Sequence, residues 1–284
     1  MVVNRIIHML LLTALVAMIG ACSSKPDATT TSDSTAAGTT PDPGQKHEIL
    51  VFAAASLRES MQELGEAFEK QTGVHVLYNL AGSNDLARQI IAAPKKADLF
   101  VSANQNWMDT VEKAGHVVAG TRRDLISNKL VVVANAQSDW KMSDPCELGT
   151  LKYKFMALGD PEAVPAGRYA KQWLSSIQCG GDTLWKGVQK RVSPAPDVRA
   201  ALGLVLADRD MLGIVYKSDQ LAFSDKTRVL YEVTNGPTIS YVAAQISGGD
   251  HMEDGRKFYD FLTGAEAQRI FEKHGFAPIS TKAP

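Results

Sequence analysis

Glu48-Ile49-Leu50-Val51-Phe52-Ala53-Ala54-Ala55-Ser56-Leu57 carries an apolar run of strand length through small residues to a hydroxyl and then into helical spacing. Leu57, Met61, Leu64 and Phe68 recur at helical intervals, and Gly73 supplies the stop. The same design returns along the chain. Ala81-Gly82-Ser83-Asn84-Asp85-Leu86, Val164-Pro165-Ala166-Gly167 and Pro196-Asp197-Val198-Arg199 each deliver a small or hydroxyl residue to a predicted helix start. Leu212-Gly213-Ile214-Val215-Tyr216 instead ends a strand on a phenol, with no helix expected after it. A helix N-terminus presents unpaired N–H groups and about half a positive charge, so it attracts anions without a cationic side chain. Several such termini meeting in one cleft would hold a small oxyanion by neutral donors alone.

Between these segments strand and helix patterns alternate. Val74, Val76, Tyr78 and Leu80 read as a strand, residues 86–91 open a helix, and 97–102 form a buried strand. Residues 130–134, 155–158 and 213–216 are further strands, while Val198, Ala201, Leu202, Val205 and Leu206 mark one helix face. A strand over 239–246 and helices around 258–262 and 266–273 close the chain. This alternation predicts an α/β fold with largely parallel sheets. A chain of 284 residues suits two lobes, placed at 47–128 plus 240–284 and at 129–239.

Charge is nearly balanced, with 30 Lys and Arg against 31 Asp and Glu, so nothing favours nucleic acid or another polyanionic partner. At the N-terminus, Arg5 opens a basic region, and 6–19 is apolar apart from His8, Thr13 and small residues. That stretch is short for a membrane span and reads as a secretory signal over 1–21. Ile19-Gly20-Ala21-Cys22 resembles a bacterial lipoprotein cleavage box, which would make Cys22 the lipidated first residue; the plainer alternative is ordinary cleavage after Ala21. Residues 22–46, rich in Ser, Thr, Ala, Asp, Pro and Gly, read as a flexible tether. The remaining cysteines, Cys146 and Cys179, form an even pair expected to be oxidised outside the cytoplasm, with two buried thiols as the alternative. Such a bridge would stabilise the fold by about 3–4 kcal/mol on the chain-entropy model.

Signatures of catalysis are missing. The chain has no Gly-x-Gly-x-x-Gly, no Walker-type loop and no Gly-x-Ser-x-Gly elbow. His8, His47, His75, His116, His251 and His274 lack metal-ligand spacing, and the acids of Gly159-Asp160-Pro161-Glu162 flank a proline as turn-forming acids do. No catalytic residue, metal or cofactor is assigned.

Taken in order, these segments resemble the periplasmic molybdate-binding proteins of ABC importers. The resemblance runs through residues 51–57, Leu86-Ala87-Arg88-Gln89-Ile90, Ala97-Asp98-Leu99-Phe100-Val101-Ser102-Ala103 and Gln105-Asn106-Trp107-Met108-Asp109. It continues through residues 159–167, 196–199 and 212–216. It implies a two-lobe periplasmic-binding-protein fold (type II-like), with the ligand in the interlobe cleft. Residue by residue, it assigns oxyanion contacts to Ser56 and Ser83 through hydroxyl and backbone, to Ala166 and Val198 through the peptide N–H, and to Tyr216 through its phenol.

Each of these residues has a plainer reading: the serines as helix caps, Ala166 and Val198 as packing, Tyr216 as a core aromatic. Arg168 and Arg199 lie just inside predicted helices and are assigned no ligand contact. The resemblance also implies tungstate as a second ligand, a membrane permease as partner, and a monomer held to the membrane through its lipid. Rival readings are a binding protein for another small anion such as sulfate, an extracytoplasmic enzyme acting on an anionic substrate, or an adhesive lipoprotein.

Overall fold

The computed structural model describes residues 47–279. The signal segment, Cys22 and the tether lie outside the described residues. The chain begins with β1 (Glu48–Ala54), α1 (Arg58–Thr72), β2 (His75–Ala81), α2 (Ser83–Ala92), β3 (Leu99–Ser102), α3 (Gln105–Lys113) and β4 (Arg123–Asn128). It then runs through β5 (Leu130–Asn135), β6 (Phe155–Gly159), α4 (Pro165–Ser176), β7 (Gln178–Cys179), β8 (Asp182–Thr183), α5 (Leu184–Val188) and β9 (Val192–Ala195). The last elements are α6 (Val198–Ala207), β10 (Met211–Tyr216), α7 (Lys217–Ala222), β11 (Thr227–Glu232), β12 (Ile239–Gln245), α8 (Met252–Leu262) and α9 (Ala265–Lys273).

Two five-stranded sheets organise the molecule, in the orders β2-β1-β3-β12-β4 and β11-β5-β10-β6-β9. Both are mixed. In the first, β1 pairs in parallel with β2 and β3, while β12 is antiparallel to β3 and β4. In the second, β6 is parallel to β9 and β10, while β5 is antiparallel to β10 and β11. Each sheet therefore has a single reversed strand, β12 in one and β5 in the other, placed between neighbours of the opposite direction.

Four of the five strands in each sheet point the same way, as the sequence predicts, and the single reversal has a topological cause. Each reversed strand is the first one after the chain crosses between sheets, at 128–130 and at 232–239. The other strands run toward the cleft, where the chain crosses, so the strand that follows a crossing must run away from it. β12 starts at Ile239, which pairs with Asn128, so the first sheet takes one residue more than the boundary read at 240.

Burial follows the pattern of apolar runs. Every residue of β3 and β10 is buried, as expected of strands covered on both faces. In α1 the buried Met61, Leu64 and Phe68 form one stripe, and Gly73, at φ 75°, closes the helix by donating its N–H to the Glu69 carbonyl at 2.8 Å. Phe68 then meets Phe258 of α8 edge-on, with ring centroids 5.0 Å apart. Cys146 and Cys179 form a disulfide with Cα atoms 5.7 Å apart, tying the turn before β6 to β7.

Candidate functional site

Five cleft-directed strands deliver the five predicted residues to one place. β1 leads through a 3-10 turn, Ala55–Leu57, to Ser56; β2 leads to Ser83; β6 to Ala166; β9 to Val198; and β10 ends on Tyr216. All five line a single small cavity, together with Ala54, Ala55, Ala81, Gly82, Ala103, Val164, Pro165 and Asp197. The free space inside it is about 10 Å3, on the scale of a single water. A wider groove between α1 and α9 is open, is lined by Glu63, Glu66, Lys70, Glu266 and Lys273 among others, and holds none of the five. Carboxyl ends of strands at the meeting of two sheets are where α/β folds place ligands.

The helix starts around the cavity are unusually bare. Gly82 precedes α2, Leu57 precedes α1 and Val164 precedes α4, and none provides a capping side chain. Neither serine serves as a cap: Ser83 is the first residue inside α2, and Ser56 lies within the 3-10 turn. The plainer reading of both is thereby removed. Of α1, α2, α4 and α6, only α6 carries a side-chain cap, where Asp197 accepts the N–H of Ala200 at 2.9 Å. That aspartate is the one ionisable acid in the lining, a feature the sequence reading passed over.

Hydroxyl partners show how each group can act. Ser83 Oγ accepts the N–H of Ala103 at 3.0 Å, which leaves its own proton to give. Ser56 Oγ lies 2.9 Å from the Tyr241 hydroxyl. Tyr216 is 1% exposed, and its hydroxyl has no hydrogen-bond partner among the described residues. Burial pushes its phenol well above the ordinary value, reinforced by Tyr241, so it stays protonated and able to donate. A buried unpaired donor costs about 1–3 kcal/mol. Tyr216 is among the residues that line the cavity. The only other such atom among the described residues is Asn84 Oδ1, beside Ser83.

Neither arginine reaches the cavity lining. Arg199 binds Glu59 with both Nη atoms, at 2.8 and 2.5 Å, and its Nε donates to the fully buried Asp219. Arg168 donates to the Glu162 carbonyl at 2.8 and 2.6 Å, and its guanidinium lies 5.4 Å from the Trp107 ring centre. Both nevertheless join the lobes. Glu59 belongs to α1 and Arg199 to α6; on the other rim, Trp107 of α3 donates its indole N–H to the Ala163 carbonyl at 2.9 Å. Between the rims, a Cβ on Gly82 would come within 2.7 Å of the Pro196 carbonyl oxygen, so the lobes meet backbone to backbone there. Tyr216, expected to end a strand with no helix beyond it, also starts α7, with its N–H donated to Asp219 at 3.2 Å.

A model of the bacterial extracellular solute-binding proteins matches residues 49–277. The molybdate-binding protein ModA of Escherichia coli is 38% identical over 234 residues, covering 81% of this chain and 88% of that protein. This chain belongs to the bacterial extracellular solute-binding proteins, in the molybdate-binding family of ABC importers. Two solved structures support the fold. The periplasmic molybdate-binding protein of Azotobacter vinelandii superimposes with a TM-score of 0.71 at 20% identity, covering 81% of this chain and 98% of that one. The sulfate-binding protein SubI of Mycobacterium tuberculosis gives the same TM-score at 17% identity, covering 82% and 88%. The fold is thus shared with proteins named for different anions.

Proposed function

We propose that this protein captures molybdate, and tungstate with it, through neutral hydrogen-bond donors and hands it to the membrane permease of an ABC importer. The observation that carries the reading is the Tyr216 hydroxyl, buried without a partner at a cavity walled by uncapped helix starts and two serine hydroxyls. A tetrahedral dianion offers only acceptors at neutral pH and matches such a set. Phosphate retains a proton there and seeks an acceptor. Asp197 is the one carboxylate at hand, and it already caps α6. Sulfate has the charge of molybdate in a smaller shell, so it would reach fewer donors at once. Tungstate is close to molybdate in size and should be hard to distinguish from it.

The energetics suffice. Hydrogen bonds to a charged group contribute about 1.5–3 kcal/mol each, so a few exceed the roughly 8 kcal/mol of micromolar binding with room for association costs. The interlobe contacts of Trp107 and Arg199 fit closure over the ion, a hinge motion general to such folds. The reading involves no covalent chemistry. It includes a monomer anchored through a lipid on Cys22, outside the cytoplasm.

A thermal-shift titration with molybdate, tungstate, sulfate and phosphate tests it. Ligand at 100 times its dissociation constant should add about 2.7 kcal/mol to the folded state. A raised midpoint with molybdate and tungstate alone is expected. A shift with sulfate would change the ligand and keep the class, and no shift with any of the four would sink the transport reading.

A further inference from the structure

We infer that Tyr241 and Asn128 are positioning residues that make Ser56 an obligate donor to the ion, an inference that rests on the oxyanion reading above. Neither residue lines the cavity. Tyr241 is fully buried on β12, and Asn128, 6% exposed, is the last residue of β4, where the chain crosses to the second sheet. The first hydrogen bond of the chain that links them has a fixed sense. The Lys129 backbone N–H donates to Asn128 Oδ1 at 2.8 Å. A backbone N–H cannot reverse, so it sets which end of the amide is oxygen.

Asn128 Nδ2 therefore faces Ser218 Oγ at 2.9 Å and Tyr241 Oη at 3.4 Å, and donates to both. In the arrangement inferred here, the Tyr241 oxygen receives that N–H and its hydroxyl gives its own proton to Ser56 Oγ, 2.9 Å away. Ser56 then has its oxygen engaged and its proton free for the cavity. Ser83 reaches the same state in one step, because the Ala103 N–H donates straight to its oxygen. Both serines are polarised from a backbone N–H, one directly and one through two side chains.

The phenol keeps its proton throughout. Burial pushes the Tyr241 pKa far above its ordinary 10, and the nearby Asp219 pushes the same way. Loss of the Tyr241 hydroxyl should therefore leave Ser56 present but unoriented, so that binding must immobilise it. The expected result for Tyr241→Phe is molybdate binding about three- to tenfold weaker, the cost of ordering one side chain.

The test is a double-mutant cycle by isothermal titration with molybdate, using the purified protein, Tyr241→Phe, Ser56→Ala and the double variant. If Tyr241 acts through Ser56, Tyr241→Phe weakens binding in the native background and changes nothing further in the Ser56→Ala background. An equal loss in both backgrounds would overturn the relay and leave Tyr241 as packing alone. A second variant, Asn128→Asp, keeps the acceptor for Lys129 and replaces the amide donor with an acceptor. Tyr241 should then turn its proton toward position 128 and draw the Ser56 proton after it, with a loss at least as large as that of Ser56→Ala. Binding unchanged in Asn128→Asp would also overturn the relay. Absence of molybdate binding by the unsubstituted protein would sink the proposed function itself, whereas intact binding with equal losses sinks only the relay.

Discussion

The first lobe meets the cavity with side-chain hydroxyls, Ser56 and Ser83, each with its oxygen already engaged. The second lobe meets it at the starts of α4 and α6, where the proposed donors are backbone, and with one phenol that has no hydrogen-bond partner among the described residues. The rims divide in a similar way. On one, Trp107 and Ala163 join by a neutral hydrogen bond; on the other, Glu59, Arg199 and Asp219 form a largely buried charged cluster. Chemistry that depends on side chains is open to substitution, and chemistry that depends on backbone is shielded from it. The charged rim is the place where pH and mutation should act on the fold itself.

The largest effect should come from that rim. Arg199 has a side chain 12% exposed and serves two carboxylates, one of them fully buried. Arg199→Met would leave Asp219 buried without its cation, and breaking one partner from a buried pair costs about 3–5 kcal/mol. Chemical denaturation of the ligand-free protein should show that loss. A loss under about 1 kcal/mol would mean that solvent reaches the cluster and the rims are equivalent.

Ser83→Ala should come next. The substitution removes a donor to the ion and also orphans the Ala103 N–H. A charge-assisted hydrogen bond is worth about 1.5–3 kcal/mol, which corresponds to molybdate binding about 10- to 150-fold weaker. Titration calorimetry would read it. A loss of less than about threefold would shift the weight of binding to the second lobe.

The acids of the charged rim should respond to pH with opposite signs. Burial raises the Asp219 carboxyl to about 6 from an ordinary 3.8, even though Arg199 pulls it down. Its contribution to stability is therefore fully present below about 3.8 and is lost as pH rises through about 6. For Glu59, burial pushes the carboxyl up, but the hydrogen bonds and charge of Arg199 outweigh it and hold the group below its ordinary 4.5. Its contribution is present above 4.5 and fades as pH falls through the folded value. Between pH 5 and 7 Asp219 should dominate, so Asp219→Asn should flatten the dependence of the urea midpoint on pH. An unchanged slope in the variant would assign that dependence to other groups.

Legibility in the sequence followed the same division. β1, α1 and Gly73 were readable because apolar period and a stop residue coincide locally, and β1 spans the residues expected of it. β4 and β11 escaped notice because their burial alternates irregularly and the bulges in their pairing break the period. The reversed strands could not be read at all, since direction depends on where the chain re-enters a sheet. At the site, the five residues were placed by resemblance, and the structure brings them to one cavity. Tyr241, Asn128 and the interlobe role of Trp107 left no local signal, because the partners in these contacts lie 56 or more residues away. The apolar run of β12 marks Tyr241 as buried but says nothing of what its hydroxyl touches.

The smallest effect should be at Val198, and it is the sharpest test of the backbone half of the comparison. The residue is 4% exposed, lines the cavity and is the first residue of α6, so its peptide N–H has no partner within the helix and is the donor proposed for the ion. Val198→Ala keeps that N–H, the Asp197 cap and the direction of the helix, and removes only two methyl groups from the wall. Stability should fall by about 1–3 kcal/mol for the lost packing. Molybdate affinity, measured by titration in protein shown to be folded, should stay within about threefold of the original, because side-chain truncation leaves the donor in place. A larger loss would mean that the valine side chain sets cavity size, and ion selection in the second lobe would then rest on shape as well as on its amides.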